Sequence, residues 1–304
     1  MKKSILAVAV VLGSTTLFAQ NLESKNGEAY LPASGDWAIG VDATPFLNYA
    51  GNLIGGGQNA NNAPTWNYLT NNQTITGKYF AADDMAYRAS IRLGFGSATT
   101  KAMVADRSVT TAPDYPTVPT TVENTMKVGG MNIGIGVGLE KRRGFGRLQG
   151  FYGAELGINL MSSSEKYTYG NALTVASATT PVTVTGADDF GGNVFADADY
   201  GFQSRVTERK SGMGFGIGVR GFIGAEYFVL PRLAVGGEFG WGLAFSSQGA
   251  SSETTEMEGS NTAGTESVST LTREGGKSSS FGVDTDNINS VFGPAGSLRM
   301  TFHF

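Results

Sequence analysis

Gly130-Met131-Asn132-Ile133-Gly134-Ile135-Gly136-Val137-Gly138-Leu139-Glu140 is the stretch on which the reading of this chain turns. Met131, Ile133, Ile135, Val137 and Leu139 hold the odd positions, and glycine, Asn132 and Glu140 hold the even ones. A period of two belongs to a strand, whose successive side chains point to opposite faces. Beyond the polar turn 141 to 146 the pattern resumes, with Leu148, Tyr152, Ala154, Leu156, Ile158 and Leu160 on one face. Gln149, Phe151, Gly153, Glu155, Gly157 and Asn159 lie on the other. Two such strands joined by a short turn fit a membrane-spanning hairpin whose polar face looks into a barrel.

Composition points the same way. Asp, Glu, Lys and Arg make up 16% of the 304 residues, against roughly 25% in soluble domains. Glycine is abundant, at 44 residues. The balance of 22 basic and 26 acidic residues leaves no basic footprint for nucleic acid. With no cysteine, disulfides, thiolate metal sites and a cysteine nucleophile are excluded.

Residues 1 to 19 read as a secretory signal peptide: Lys2-Lys3, an apolar run from Ile5 to Gly13, and a cleavage site after Ala19. Residues 20 to 35 read as a periplasmic lead-in too short and polar to bury a core, and 36 to 304 as the barrel. No later stretch reaches the ~18 apolar residues of a membrane helix, so any crossing must use strands.

Eight alternating strands are expected, over about 36 to 48, 74 to 80, 85 to 96, 127 to 140, 147 to 161, 212 to 228, 233 to 245 and the last dozen residues. Three short connections alternate with long loops at about 49 to 73, 98 to 125, 162 to 211 and 246 to 287. That asymmetry is the pattern of bacterial outer-membrane barrels. Aromatic residues gather at strand ends, with Trp37, Phe145, Tyr227, Phe228, Phe302 and Phe304 at one rim and Tyr49, Phe95 and Phe245 at the other, as two interfacial belts.

Parity assigns Asp42, Lys78, Arg88, Arg92, Glu140, Glu155, Arg220, Glu226, Glu238 and Arg299 to the interior. Buried ions must be paired or hydrated, so a balanced ion-pair network is expected to plug a narrow lumen. Gly216, Gly218 and Gly221 spell the dinucleotide fingerprint, but inside an alternating strand with no helix after it. Asp188, Asp189, Asp197 and Asp199 lack the remaining ligands of a calcium loop and read as solvated acids; no metal and no cofactor is expected. The lone histidine, His303, sits at the chain's end and offers no outer-side catalytic base, so the chain reads as non-enzymatic. Lys141, Arg142 and Arg143 read as a turn facing water or lipid phosphate.

The signal peptide, the alternating strands, the long-loop and short-turn asymmetry and the terminal Phe304 resemble the small outer-membrane barrels of Gram-negative bacteria, of the OmpA-transmembrane-domain and OmpX kind. The resemblance implies an up-and-down transmembrane antiparallel barrel with both termini periplasmic and long loops extracellular. It also implies that Met300, Phe302 and Phe304 form the signal read by the barrel-assembly machinery. The loops are longer than in the simplest members, and no peptidoglycan-binding domain follows. The functional expectation is a structural or interaction protein that binds outer-membrane lipid and other outer-membrane proteins, through its loops or inside a larger assembly, transport or secretion complex. The alternative is a narrow channel for ions or small solutes.

Overall fold

The computed structural model describes residues 22–43, 75–109, 111, 113–173, 190, 193–260, 262–283 and 296–304. Thirteen strands and no helix are found among them. They are β1 (Trp37–Asp42), β2 (Ile75–Ala82), β3 (Met85–Ala105), β4 (Thr121–Phe145), β5 (Leu148–Thr168), β6 (Val194–Ala196), β7 (Gln203–Lys210), β8 (Gly214–Leu230), β9 (Leu233–Gln248), β10 (Ser252–Ser260), β11 (Glu266–Glu274), β12 (Ser278–Val283) and β13 (Gly296–His303). Every pairing is antiparallel.

Eight of these strands pair in a cycle. β1 pairs β2, and the ladder continues through β3, β4, β5, β8, β9 and β13. β13 then returns to β1, setting Ala38 against His303 and Asp42 against Arg299. Two-residue links join β2 to β3, β4 to β5 and β8 to β9, all at one end. Two of them need a left-handed residue, supplied by Gly146 (φ 61) and Arg232 (φ 61). The connections from β3 to β4 and from β9 to β10 leave from the opposite end.

Thirteen strands replace the eight expected, because the segments read as loops carry pairing of their own. β3 runs on to Ala105 and β4 starts at Thr121, so the connection expected over 98 to 125 shrinks to the residues between them. At ~3.3 Å per residue the 25 residues of β4 span roughly 80 Å, far beyond a ~30 Å hydrocarbon layer. β7 takes over from β8 alongside the far end of β5, and β10 and β11 extend that sheet. β12 takes over from β13 alongside β9. Of the Ser- and Thr-rich stretch expected as a loop over 246 to 287, the described residues as far as 283 are largely sheet. The signal-peptide span, Pro45, Tyr49, Asp188, Asp189 and the first residues of the last expected strand lie outside the described residues.

The two faces of the cycle are sorted with inverted polarity. Phe95 (64% exposed), Ile223 (63%) and Phe239 (61%) stand outward with Ile135, Val137, Leu139 and Val219, while Arg220 (2%), Glu140 (0%) and Arg88 (3%) are buried inside. The outward apolar band is level across strands: Phe95 opposes Met131, Leu160 opposes Phe215, and Ile217 opposes Phe245. Beyond it on the loop side come Ser97, Thr99 and Lys101 on β3. At the turn-side edge Trp37 stacks on Tyr79 at 4.9 Å, and Tyr79 opposes Tyr87. Phe228, expected in this belt, is instead fully buried inside, because its even position continues the inward face of Arg220, Phe222 and Glu226.

Candidate functional site

The interior has two parts, and the first is a charge plug toward the turn side. Lys78 Nζ donates to Glu140 Oε1 at 2.8 Å and lies 3.7 Å from Glu226. Arg88 lies 2.7 Å from Glu238, 3.4 Å from Glu155 and 3.6 Å from Glu140. Arg220 Nη1 bridges Glu155 at 2.9 Å and Glu238 at 2.7 Å, and Arg299 stands 3.6 Å from Glu238. One connected network therefore draws on β2, β3, β4, β5, β8, β9 and β13. Isolated, each of these ions would be prohibitively costly to bury; connected, each carboxylate faces at least two cations.

Arg142 completes the network, pairing with Glu226 and lying 3.9 Å from Glu140. This corrects its reading as a turn residue. β4 continues to Phe145, and even parity puts Arg142 on the inner face with Glu140. The signal was present: Leu139, Lys141 and Arg143 continue the odd, outward face through the basic run.

Aromatic rings pack beneath the ions. Lys78 lies over Phe151 (4.8 Å), Arg88 over Phe222 (4.1 Å), and Arg142 over both Phe80 (5.1 Å) and Phe228 (5.8 Å). His303 sits between Phe80 and Phe228, with ring centroids at 5.5 and 5.1 Å. Below them the lead-in folds across the turn end. Tyr30 is buried against Phe228 and Ala234, with Leu22 and Leu31 packed beside it. Arg147 donates to Tyr30 Oη at 2.6 Å and covers its ring at 3.9 Å. The lead-in thus does bury a small core, contrary to expectation, because it borrows apolar partners from β8 and β9.

The second part is a cavity of about 1050 Å³ on the loop side of the plug. Gly96, Gly130, Gly214 and Gly216 line it, with ten serines that include Ser163, Ser246, Ser278 and Ser280. Asn132 and Asn159 form its floor, four residues along β5 from Glu155. The serine runs at 162 to 164 and 278 to 280 were legible as loop only; their pairing on β5 and β12 reveals the wall.

Of the residues expected inside, Lys78, Arg88, Arg92, Glu140, Glu155, Arg220, Glu226 and Glu238 are buried, Arg92 on the loop side of the pairs. Arg299 is partly buried, and Asp42 opposes it in register. Phe302 (46% exposed) and Phe304 (55%) face outward, with Met300 partly buried. Asp197 and Asp199 both pair with Arg273, at 2.8 and 2.9 Å, Asp197 buried and Asp199 exposed in the turn that follows β6.

No family model matches the chain, and no curated protein matches it. Among solved structures it is similar to a major outer membrane protein from Thermus thermophilus, with 11% identity, coverage of 89% of this chain and 99% of that one, and a TM-score of 0.26.

Proposed function

We propose that this chain is a non-enzymatic bacterial outer-membrane β-barrel of eight membrane-crossing strands, with its turns periplasmic and its loop-side sheet extracellular. Its role is structural or interactive: it presents β7, β10, β11 and β12 above the membrane to partner proteins of the outer membrane. The observation that carries this reading is the inverted sorting, with apolar side chains outward around a closed cycle of strands and a connected ion network within. In water such an outer face would be an aggregation surface many times larger than monomers expose. In lipid it is the solvent-matched face, and the inner charges are tolerable because they are paired. Met300 and Phe302 are carried on β13, the strand that closes the cycle, with Phe304 just beyond its end, in keeping with a carboxyl-terminal assembly signal.

Depth-resolved fluorescence quenching tests the embedding. Trp241 sits outward at mid-band, opposite Gly221, and Trp37 at the turn-side edge. In vesicles, bromines deep in the acyl chains should quench Trp241 and bromines near the headgroup should quench Trp37. Equal insensitivity of both would end the membrane reading. The channel alternative is weighed by planar-bilayer recording. The plug predicts silence, and steady conductance altered by Arg220→Ala or Glu238→Gln would favour conduction instead.

A further inference from the structure

We infer that the loop-side cavity is a binding site for an uncharged, hydroxyl-rich solute of the oligosaccharide class. This rests on the barrel reading above, which opens the cavity to the outside. At about 1050 Å³ it stands at the upper end of small-ligand sites. Its described lining holds no Asp, Glu, Lys or Arg, although the plug just beneath it is built of little else. The nearest charge is Arg92, in register with Gly134 beside Asn159 at the floor, and the wall above it offers an ionic ligand no counter-charge. Serine hydroxyls donate and accept alike, and Met161, Val128 and Ala98 add apolar patches between them. That mixture suits sugar rings, which carry hydroxyl rims around C–H faces.

The floor supplies an independent pointer. Asn159, 5% exposed, donates through Nδ2 to Asn132 Oδ1 at 3.2 Å. Its own Oδ1 makes no hydrogen bond. A buried amide oxygen left without a donor is costly, and a rotation of the Asn159 side chain toward the cavity would let a ligand hydroxyl satisfy it.

The experiment is isothermal titration of the full chain, in a detergent without a sugar headgroup, with maltohexaose, cellohexaose and an oligogalacturonate of equal length. Saturable binding of at least one neutral hexasaccharide and none of the acidic one is expected. Asn159→Ala should weaken binding about tenfold, the scale of one lost hydrogen bond, and Ser280→Trp, which adds bulk to the cavity lining from β12, should abolish it. Heat-modifiable gel mobility reports folding of each variant. The proposal is overturned if neither neutral sugar binds, if the acidic one binds as well, or if Ser280→Trp leaves binding unchanged. A chain that binds no sugar yet inserts and is quenched as described above loses only this site. A chain that never inserts loses the barrel reading as well.

Discussion

The two halves of the interior share β3, β4, β5, β8 and β9 and differ in what those strands carry. On β8 the turn-side half presents Arg220, Phe222, Glu226 and Phe228, all buried, and the loop-side half presents Gly214, Gly216 and Gly218. The spacing between paired strands is the same in both halves, so the shared strands give each comparable room. Side-chain volume alone makes one a solid plug and the other a cavity. Charge divides along the same line, with nine ionic side chains joined below and none on the cavity wall. Stability should therefore reside in the turn-side half, leaving the loop-side half free to vary.

The sharpest way to break that comparison is Glu238→Ala. Glu238 lies within ion-pair distance of Arg88, Arg220 and Arg299, and its removal leaves three guanidinium groups short of charge. Breaking a buried pair costs about 3–5 kcal/mol, so the unfolding midpoint in detergent should fall steeply, or the chain should fail to become heat-modifiable. Glu238→Gln, which keeps the shape, should recover only part of the loss. Ser246→Ala, at the cavity wall, should stay within ~0.5 kcal/mol. Equal effects at the two sites would show that the division is not energetic.

Glycine substitutions sharpen the contrast at smaller cost. A Cβ at Gly240 would fall on the Arg220 guanidinium, which its two carboxylates hold in place. Gly240→Ala should therefore destabilise by about 1–3 kcal/mol, the usual scale of overpacking. At Gly276, on the cavity wall, a Cβ meets nothing within 4 Å, and Gly276→Ala should be silent in the same melt. A third comparison concerns the lead-in: Tyr30→Phe removes the acceptor of the Arg147 bond, at about 1.5 kcal/mol or somewhat more for a charged donor. It should speed protease cleavage among residues 22 to 36 while leaving the cycle of strands intact.

Period-two alternation made the cycle legible, because one misplaced residue would turn a whole strand's apolar set inward. Lys78, Arg88, Glu140, Glu155, Arg220, Glu226 and Glu238 were assigned to the interior by parity, and all seven are buried. Which of them pair was not legible, since Arg88 meets Glu238 across 150 positions and only the closure of the ladder sets that distance. Arg142 was lost because three consecutive basic residues resemble a turn. β11 and β12 escape notice for a different reason: a strand with water on both faces has no buried apolar alternation to betray it. β11 illustrates this, with Ser267, Thr270 and Thr272 exposed on both of its sides. The cavity followed them, because its wall is made partly from β12.

The smallest effect lies in the turns, which mark the rigid end of the comparison. Gly146 and Arg232 both stand at φ 61, yet only glycine takes that conformation without a Cβ clash. Gly146→Ala should cost about 1 kcal/mol, because the β4–β5 turn then carries the clash that the β8–β9 turn already bears. Arg232→Gly relieves that clash, but glycine gives the unfolded chain more freedom, which offsets most of the gain. The Arg232 carbonyl accepts the His303 amide at 2.7 Å, so the backbone is held in place whichever residue stands there. Arg232→Gly should therefore raise stability by only a few tenths of a kcal/mol. A clear loss instead would mean that the Arg232 side chain contributes to closing the turn end.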